Sequence, residues 1–302
     1  KDYLSALGYG SLMGILKNYE LINPFVSSTT DAYKRLQPGY EAPVSIVASL
    51  GISPDTPSRN RTVLIDVIRD LEKLDATRFE LRSPNPSTNS YLTFAACLQS
   101  MLDGCKYAVG KTQEELYAEL SKHQGIEAGY LETNRRYISA HDVYEKYTEK
   151  VRNTIFGKHP TNVYEAIKIM NENEHKIGVL LDNQVFTRII IESYKQIMTD
   201  FWLSELKNRI IVENEEIVRS CKKLHTDDYN EVSEQDVRRW QVIKNLRWEL
   251  MKHHKGRPGV FDMLKIAIDD RDYLQISNLQ NELAKKMKTL TYLYAEYKHK
   301  LL

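Results

Sequence analysis

Arginine and glutamate alternate at Arg78, Glu80 and Arg82 in the segment TRFELRSP, residues 77–84, with Phe79 and Leu81 between them. Side chains two apart share one face of a strand, so the spacing predicts a half-buried strand with one charged face. An isolated ladder of this kind is also what a solvated strand presents, its charges simply paired. The neighbourhood shifts the balance, because Arg35, Glu41, Arg59 and Arg61 lie upstream on turn-rich or strand-flanking segments. Guanidinium groups grip carboxylate and phosphate bidentately, and a carboxylate can hold a divalent ion. The cluster therefore suits a phosphorylated, carboxylate-bearing substrate.

The elements that must carry these residues follow from pattern. Residues 3–22 place Leu4, Leu7, Leu12, Ile15, Leu16 and Tyr19 at helical spacing, and Asn23-Pro24 is expected to close that helix. The polar stretch 27–43, pinned by Pro38, Gly39 and Pro43, reads as a loop holding Arg35 and Glu41. Residues 44–50 and 62–68 are β-branched runs and read as strands, so with the strand at 77–84 a small antiparallel sheet is expected. Ser87, Thr88 and Asn89 open a helix that reaches Gly104, with Leu92, Phe94, Ala95, Leu98, Met101 and Leu102 predicted to bury it behind the sheet.

From about residue 110 the chain becomes charged and helix-forming. Residues 186–218 and 236–252 read as long helices, and Ile276, Leu279, Leu283, Met287, Leu290, Tyr294 and Tyr297 form an apolar stripe at three and four spacing. That stripe is expected to seal against the 186–218 helix. The organisation that results is a first segment 1–110, a connecting segment 111–160 and a helical domain 161–302.

Composition narrows the classes of partner. Among 302 residues, 42 Lys and Arg stand against 41 Asp and Glu, a net charge of +1, which supplies no general attraction to nucleic acid or an anionic membrane. Cys97, Cys105 and Cys221 form no CxxC pair, so neither a disulfide framework nor a structural zinc site is indicated. No apolar run approaches a bilayer span and no leader pattern opens the chain, so a cytoplasmic protein is expected. The eight histidines show no ligand spacing, and His253-His254 read as the cationic end of a helix. The chain begins at Lys1 inside an apolar helical pattern, which suggests a piece of a longer polypeptide.

Three motifs, YKRLQPGYEAP (33–43), SRNRT (58–62) and TRFELRSPNPSTNSYLTFAACLQSMLDG (77–104), together resemble the C-terminal part of the glutamine synthetase catalytic domain, in the same order and at similar spacing. The resemblance implies an α+β fold, a partial antiparallel β-barrel with helices packed outside, followed here by an all-α region. It implies a ligase that uses ATP and Mg2+ or Mn2+ to join ammonia to L-glutamate through γ-glutamyl phosphate, in a homo-oligomer. Arg35 and Arg82 would then hold glutamate, and Glu41 would cover its entrance and help to deprotonate ammonium. Arg61 and Arg78 would serve ATP, and Glu80 would be a metal ligand. The family's other metal ligands belong upstream of Lys1, so the fragment alone is expected to be inactive. The chain departs from the pattern at Asp66, where a second phosphate arginine is usual; either Arg69 or another side chain compensates, or nucleotide handling differs here. A relative that uses another amine, and a non-catalytic scaffold, are the competing readings.

Overall fold

The computed structural model describes residues 3–36, 43–127, 129–226, 233–252, 256 and 258–300. Two compact units divide the chain, Lys1–Thr199 and Asp200–Leu302. The first contains α1 (Ala6–Val26), α2 (Thr30–Arg35), β1 (Ser45–Ser49), β2 (Val63–Ile68), β3 (Arg78–Leu81) and α3 (Ser90–Ala108). Shorter helices follow: α4 (Gln113–Leu120), α5 (Val143–Lys146), α6 (Glu149–Phe156), α7 (Val163–Glu172) and α8 (Gly178–Leu181). Then come α9 (Arg188–Glu205), α10 (Ile211–Ser220), α11 (Glu234–Met251), α12 (Val260–Asp269) and α13 (Tyr273–His299). No helix among the described residues is long and apolar enough to cross a membrane.

Helix α1 is the axis of the first unit and is buried on nearly every side from Tyr9 to Val26. Ser5 caps it by accepting from the Gly8 amide at 3.1 Å. It does not stop at Asn23-Pro24 as expected: Pro24 lies inside the last turn, and the helix ends where the Ser27 amide reaches the Asn23 carbonyl at 2.8 Å. A proline so close to the C-terminus removes one hydrogen bond and leaves the preceding turns intact.

Helix α3 crosses α1 on small residues, not on its apolar side. Thr93, Ala96, Ser100, Gly104 and Ala108 are buried, while Tyr91, Phe94 and Leu98 are 88%, 67% and 60% exposed. The reason is backbone approach. A Cβ on Gly10 would lie 2.8 Å from the Gly104 carbonyl oxygen, and one on Gly104 would collide with the Gly10 carbonyl. The expectation that α3 buries its large apolar residues behind the sheet is corrected accordingly.

The sheet has the order β1-β2-β3. Strand β2 pairs antiparallel with β3, but β1 and β2 are parallel, in register at Ser45↔Val63 and Ser49↔Asp66, so the expected all-antiparallel arrangement does not hold. The connection from Ser49 to Val63 is long enough to carry the chain back to the start of β1, as a parallel neighbour requires. Strands β1 and β2 are buried along almost their whole length, and β3 alternates between exposed and half-buried, as its sequence predicts.

A buried polar network ties α1 to the rest of this unit. The Tyr19 hydroxyl lies 3.3 Å from Nδ1 of His159, a residue only 4% exposed, and accepts from the Asn23 amide at 2.9 Å. Burial, reinforced by Arg135, pushes the His159 imidazole down to about 4.

In the second unit, Ile276, Leu279, Leu283, Met287, Leu290 and Tyr297 are buried along α13, so the stripe is the packed face. Its main partners are α12 and α11, and not the 186–218 segment expected from the sequence. From that segment Trp202 reaches α13, donating from Nε1 to Gln280 Oε1 at 2.8 Å. Between α9 and α10 the chain makes one π-helical turn, Leu206–Ile210. The paired His253-His254 lie outside the described residues.

Candidate functional site

The connection leading into β2 is fixed by Asn60, whose amide donates to the His141 carbonyl at 2.9 Å while its Oδ1 accepts from the Thr62 amide at 3.0 Å and the Thr62 hydroxyl at 2.8 Å. An Asx turn of this kind sets the backbone direction on either side of it. Arg59 and Arg61 flank it and face the same concavity as the charged residues of the sheet. Pro57, Ser58, Arg59, Arg61, Asp66, Ile68, Arg69, Glu80 and Arg82 line this cavity of about 610 Å³.

Arg82 is held from two sides. Its amide donates to the Leu64 carbonyl at 2.9 Å, its Nε donates to the Arg61 carbonyl at 3.1 Å, and its Nη1 forms an ion pair with Glu80. One guanidinium thus joins the loop carrying Arg61 to the strand carrying Glu80. Arg35 acts behind it. Placed at the end of α2 instead of on the loop expected from the sequence, it directs Nη2 to the carbonyls of Arg82, Ser83 and Pro84 at 3.0, 3.1 and 2.9 Å. It touches the backbone from which Arg82 projects and does not line the cavity.

Arg78 sits at the other end of β3, opposite Ile68, where its Nη1 is 3.4 Å from the Ala76 carbonyl, and it does not line the cavity either. Glu41 lies outside the described residues. Of the residues predicted from the sequence, Arg61, Glu80 and Arg82 are therefore brought together around the cavity, with Arg59 beside them.

Asp66 and Arg69 complete the lining. Asp66 is 2% exposed, stands directly opposite Glu80 in the β2–β3 register, and its Oδ1 has no hydrogen-bond partner. Burial pushes its carboxyl above the usual carboxylate range; a hydrogen bond from Ser58 opposes that, and Glu80 reinforces it. Arg69 has a buried Nη1 with no partner, and its guanidinium carbon is 5.8 Å from the centre of the Tyr3 ring. The sequence carries a signal for Asp66, the sole charge in the otherwise apolar run VLIDVI.

Four guanidinium groups and two carboxylates around one concavity suit a polyanion bound together with a hard cation. Among the described residues no group of three or more acidic, histidine or cysteine side chains could hold a metal. The donors present are the Asp66–Glu80 pair, whose buried, unpartnered oxygen is of the type Mg2+ and Mn2+ take.

The family profile described as glutamine synthetase, catalytic domain, matches residues 1–179. A glutamine synthetase of Clostridium saccharobutylicum is 34% identical over 174 residues, covering 58% of this chain and 32% of that protein. One of Thermotoga maritima is 47% identical over 91 residues, covering 30% of this chain and 18% of that protein. The chain thus spans no more than 32% of the length of either relative. The solved structure of Plasmodium falciparum glutamine synthetase aligns with a TM-score of 0.43 and 18% identity over 78% of this chain and 41% of that one, a likeness too low to argue from. Matched by the profile over more than half of its length, this chain belongs to the glutamine synthetase catalytic-domain family.

Proposed function

We propose that this chain supplies one part of a glutamate–ammonia ligase site, in which ATP phosphorylates L-glutamate and ammonia displaces the phosphate from γ-glutamyl phosphate to give glutamine. The observation that carries the reading is the convergence of Arg61, Glu80 and Arg82 on one concavity in a chain of this family. Phosphoryl transfer asks a protein mainly for positioning and for positive charge where negative charge accumulates.

In this reading Arg61 contacts the transferring phosphates, and Arg69 supplies the second cationic contact that Asp66 does not. Arg82 takes the glutamate carboxylate, and Arg35 serves glutamate binding by fixing the carbonyls behind Arg82. Arg78 is the more peripheral nucleotide contact, and Glu41 accepts the ammonium proton. Glu80 contributes to holding Mg2+ or Mn2+, which when bound neutralises phosphate charge. Such an ion is normally held by one or two carboxylates together with substrate phosphates.

The test is glutamate- and ammonium-dependent phosphate release from ATP by the product of the complete gene. Arg61→Ala is expected to lower kcat/KM by about 10²-fold, the scale of losing one electrostatic contact to a developing charge. The 302-residue chain alone is expected to release none. Unchanged turnover by Arg61→Ala would remove the assigned site. Turnover dependent on glutamate and an amine other than ammonium would keep the chemistry and change the acceptor.

A further inference from the structure

Asp66 lines the cavity, and the proposed reaction gives it no role. A carboxylate opposite Glu80 places two negative groups on one face of adjacent strands. Directly opposed side chains of an antiparallel pair have Cβ atoms about 5 Å apart, and like charges there destabilise the sheet. Yet Asp66 is 2% exposed, and although four arginines line the same cavity, no donor reaches its Oδ1. A buried carboxylate oxygen left without a partner is costly unless something absent from the protein satisfies it.

We infer that Asp66 and Glu80 together hold one divalent cation across the β2–β3 pair, with Asp66 as a direct ligand. The inference takes Glu80 as a metal ligand, as the proposed function does, and adds the second carboxylate. Two opposed carboxylates with Cβ atoms about 5 Å apart can each extend an oxygen to a common ion at roughly 2.1 Å, the distance Mg2+ and Mn2+ require. Water or substrate phosphate fills the remaining positions, which is how these ions are ordinarily held when a protein supplies few ligands. Both acids are anchored for the task. Asp66 sits within a fully buried stretch of β2, and Glu80 is oriented by its ion pair with Arg82, which is itself tied to the Arg61 carbonyl.

The experiment is a titration of the 302-residue chain with Mn2+, free ion being read by electron paramagnetic resonance. The wild-type chain is expected to bind one Mn2+, and Asp66→Asn and Glu80→Gln each to weaken binding by roughly tenfold or more, since each removes one of two charged ligands. Glu72→Gln, an exposed acid away from the cavity, is expected to bind as the wild type does. Mn2+ should also broaden the side-chain carboxylate carbon resonance of Asp66 in the wild-type protein, a readout independent of whether Asp66→Asn folds. No Mn2+ binding, binding unaffected by either substitution, or an unbroadened Asp66 resonance would overturn the inference. Loss of binding in both variants, alongside a complete enzyme that releases no glutamate-dependent phosphate, would remove the proposed reaction and leave the ion site standing.

Discussion

Arg35 and Arg82 show how one residue type serves two ends. Arg82 offers its guanidinium to the cavity while anchoring two segments, whereas Arg35 spends one terminal nitrogen on three consecutive carbonyls. The motif spacing made both legible as functional candidates, together with Arg61 and Glu80. What each touches was not legible, because that depends on α2 forming where Pro38, Gly39 and Pro43 suggested a loop. His159 was equally opaque, since nothing local in the sequence marks it as buried against Tyr19. Its consequence is a pH dependence. The unfolded chain protonates this ring near 6.5 and the folded chain only near 4, so the unfolded state gains ground as pH falls through that interval. The stability associated with His159 is intact above pH 6.5, declines between 6.5 and 4, and falls no further below that. In thermal melts the wild type is expected to lose more stability from pH 7 to 4.5 than His159→Gln does. Parallel curves for the two proteins would show that His159 is not held neutral.

Among the elements, α1 and α3 explain why apolar periodicity misleads. The pattern around Phe94 and Leu98 is strongly helical and the helix forms, yet the face that packs is the small one. Hydrophobic patterning predicts burial when helices meet through large side chains; where Gly10, Gly14 and Gly104 let backbones touch, close approach decides the contact. Gly104→Ala is therefore expected to cost about 1 to 3 kcal/mol or more through overpacking, whereas Phe94→Ser on the exposed face should change stability by less than about 0.5 kcal/mol. Urea denaturation of both variants checks this, and the reverse ranking would refute the packing described. The sheet yields a related lesson. Two strands were readable from their β-branched runs and the third from its alternation, and the direction of β1 was not, because a long connection is compatible with either pairing.

At the scale of the whole molecule, the chain divides into two units of different character. The family profile matches residues 1–179, and the all-helical region beyond is built on the α13 stripe. That stripe was legible because its spacing is regular; its partners were not, since α11, α12 and the 186–218 segment all present usable apolar faces. Leu283 is 2% exposed, so Leu283→Ala is expected to cost about 2 to 5 kcal/mol, and Lys285→Ala, on the exposed face, less than about 0.5 kcal/mol. Equal midpoints in chemical denaturation would count against the packed face. The π turn has its own consequence, at the level of the gene. Leu206 and Ile211 are both buried although five positions separate them, a step that in a regular α-helix would rotate Ile211 about 140° away. The extra residue is thus surplus to the packing, and an in-frame deletion of the codon for Asn208 would leave the two leucine-family side chains four apart in an ordinary helix. That deletion should preserve a cooperative melt, while loss of the codon for Lys244 would turn the remainder of α11 by about 100° and dismantle its contacts. Helix geometry thus marks Asn208 as a position where this unit is expected to tolerate the loss of one amino acid.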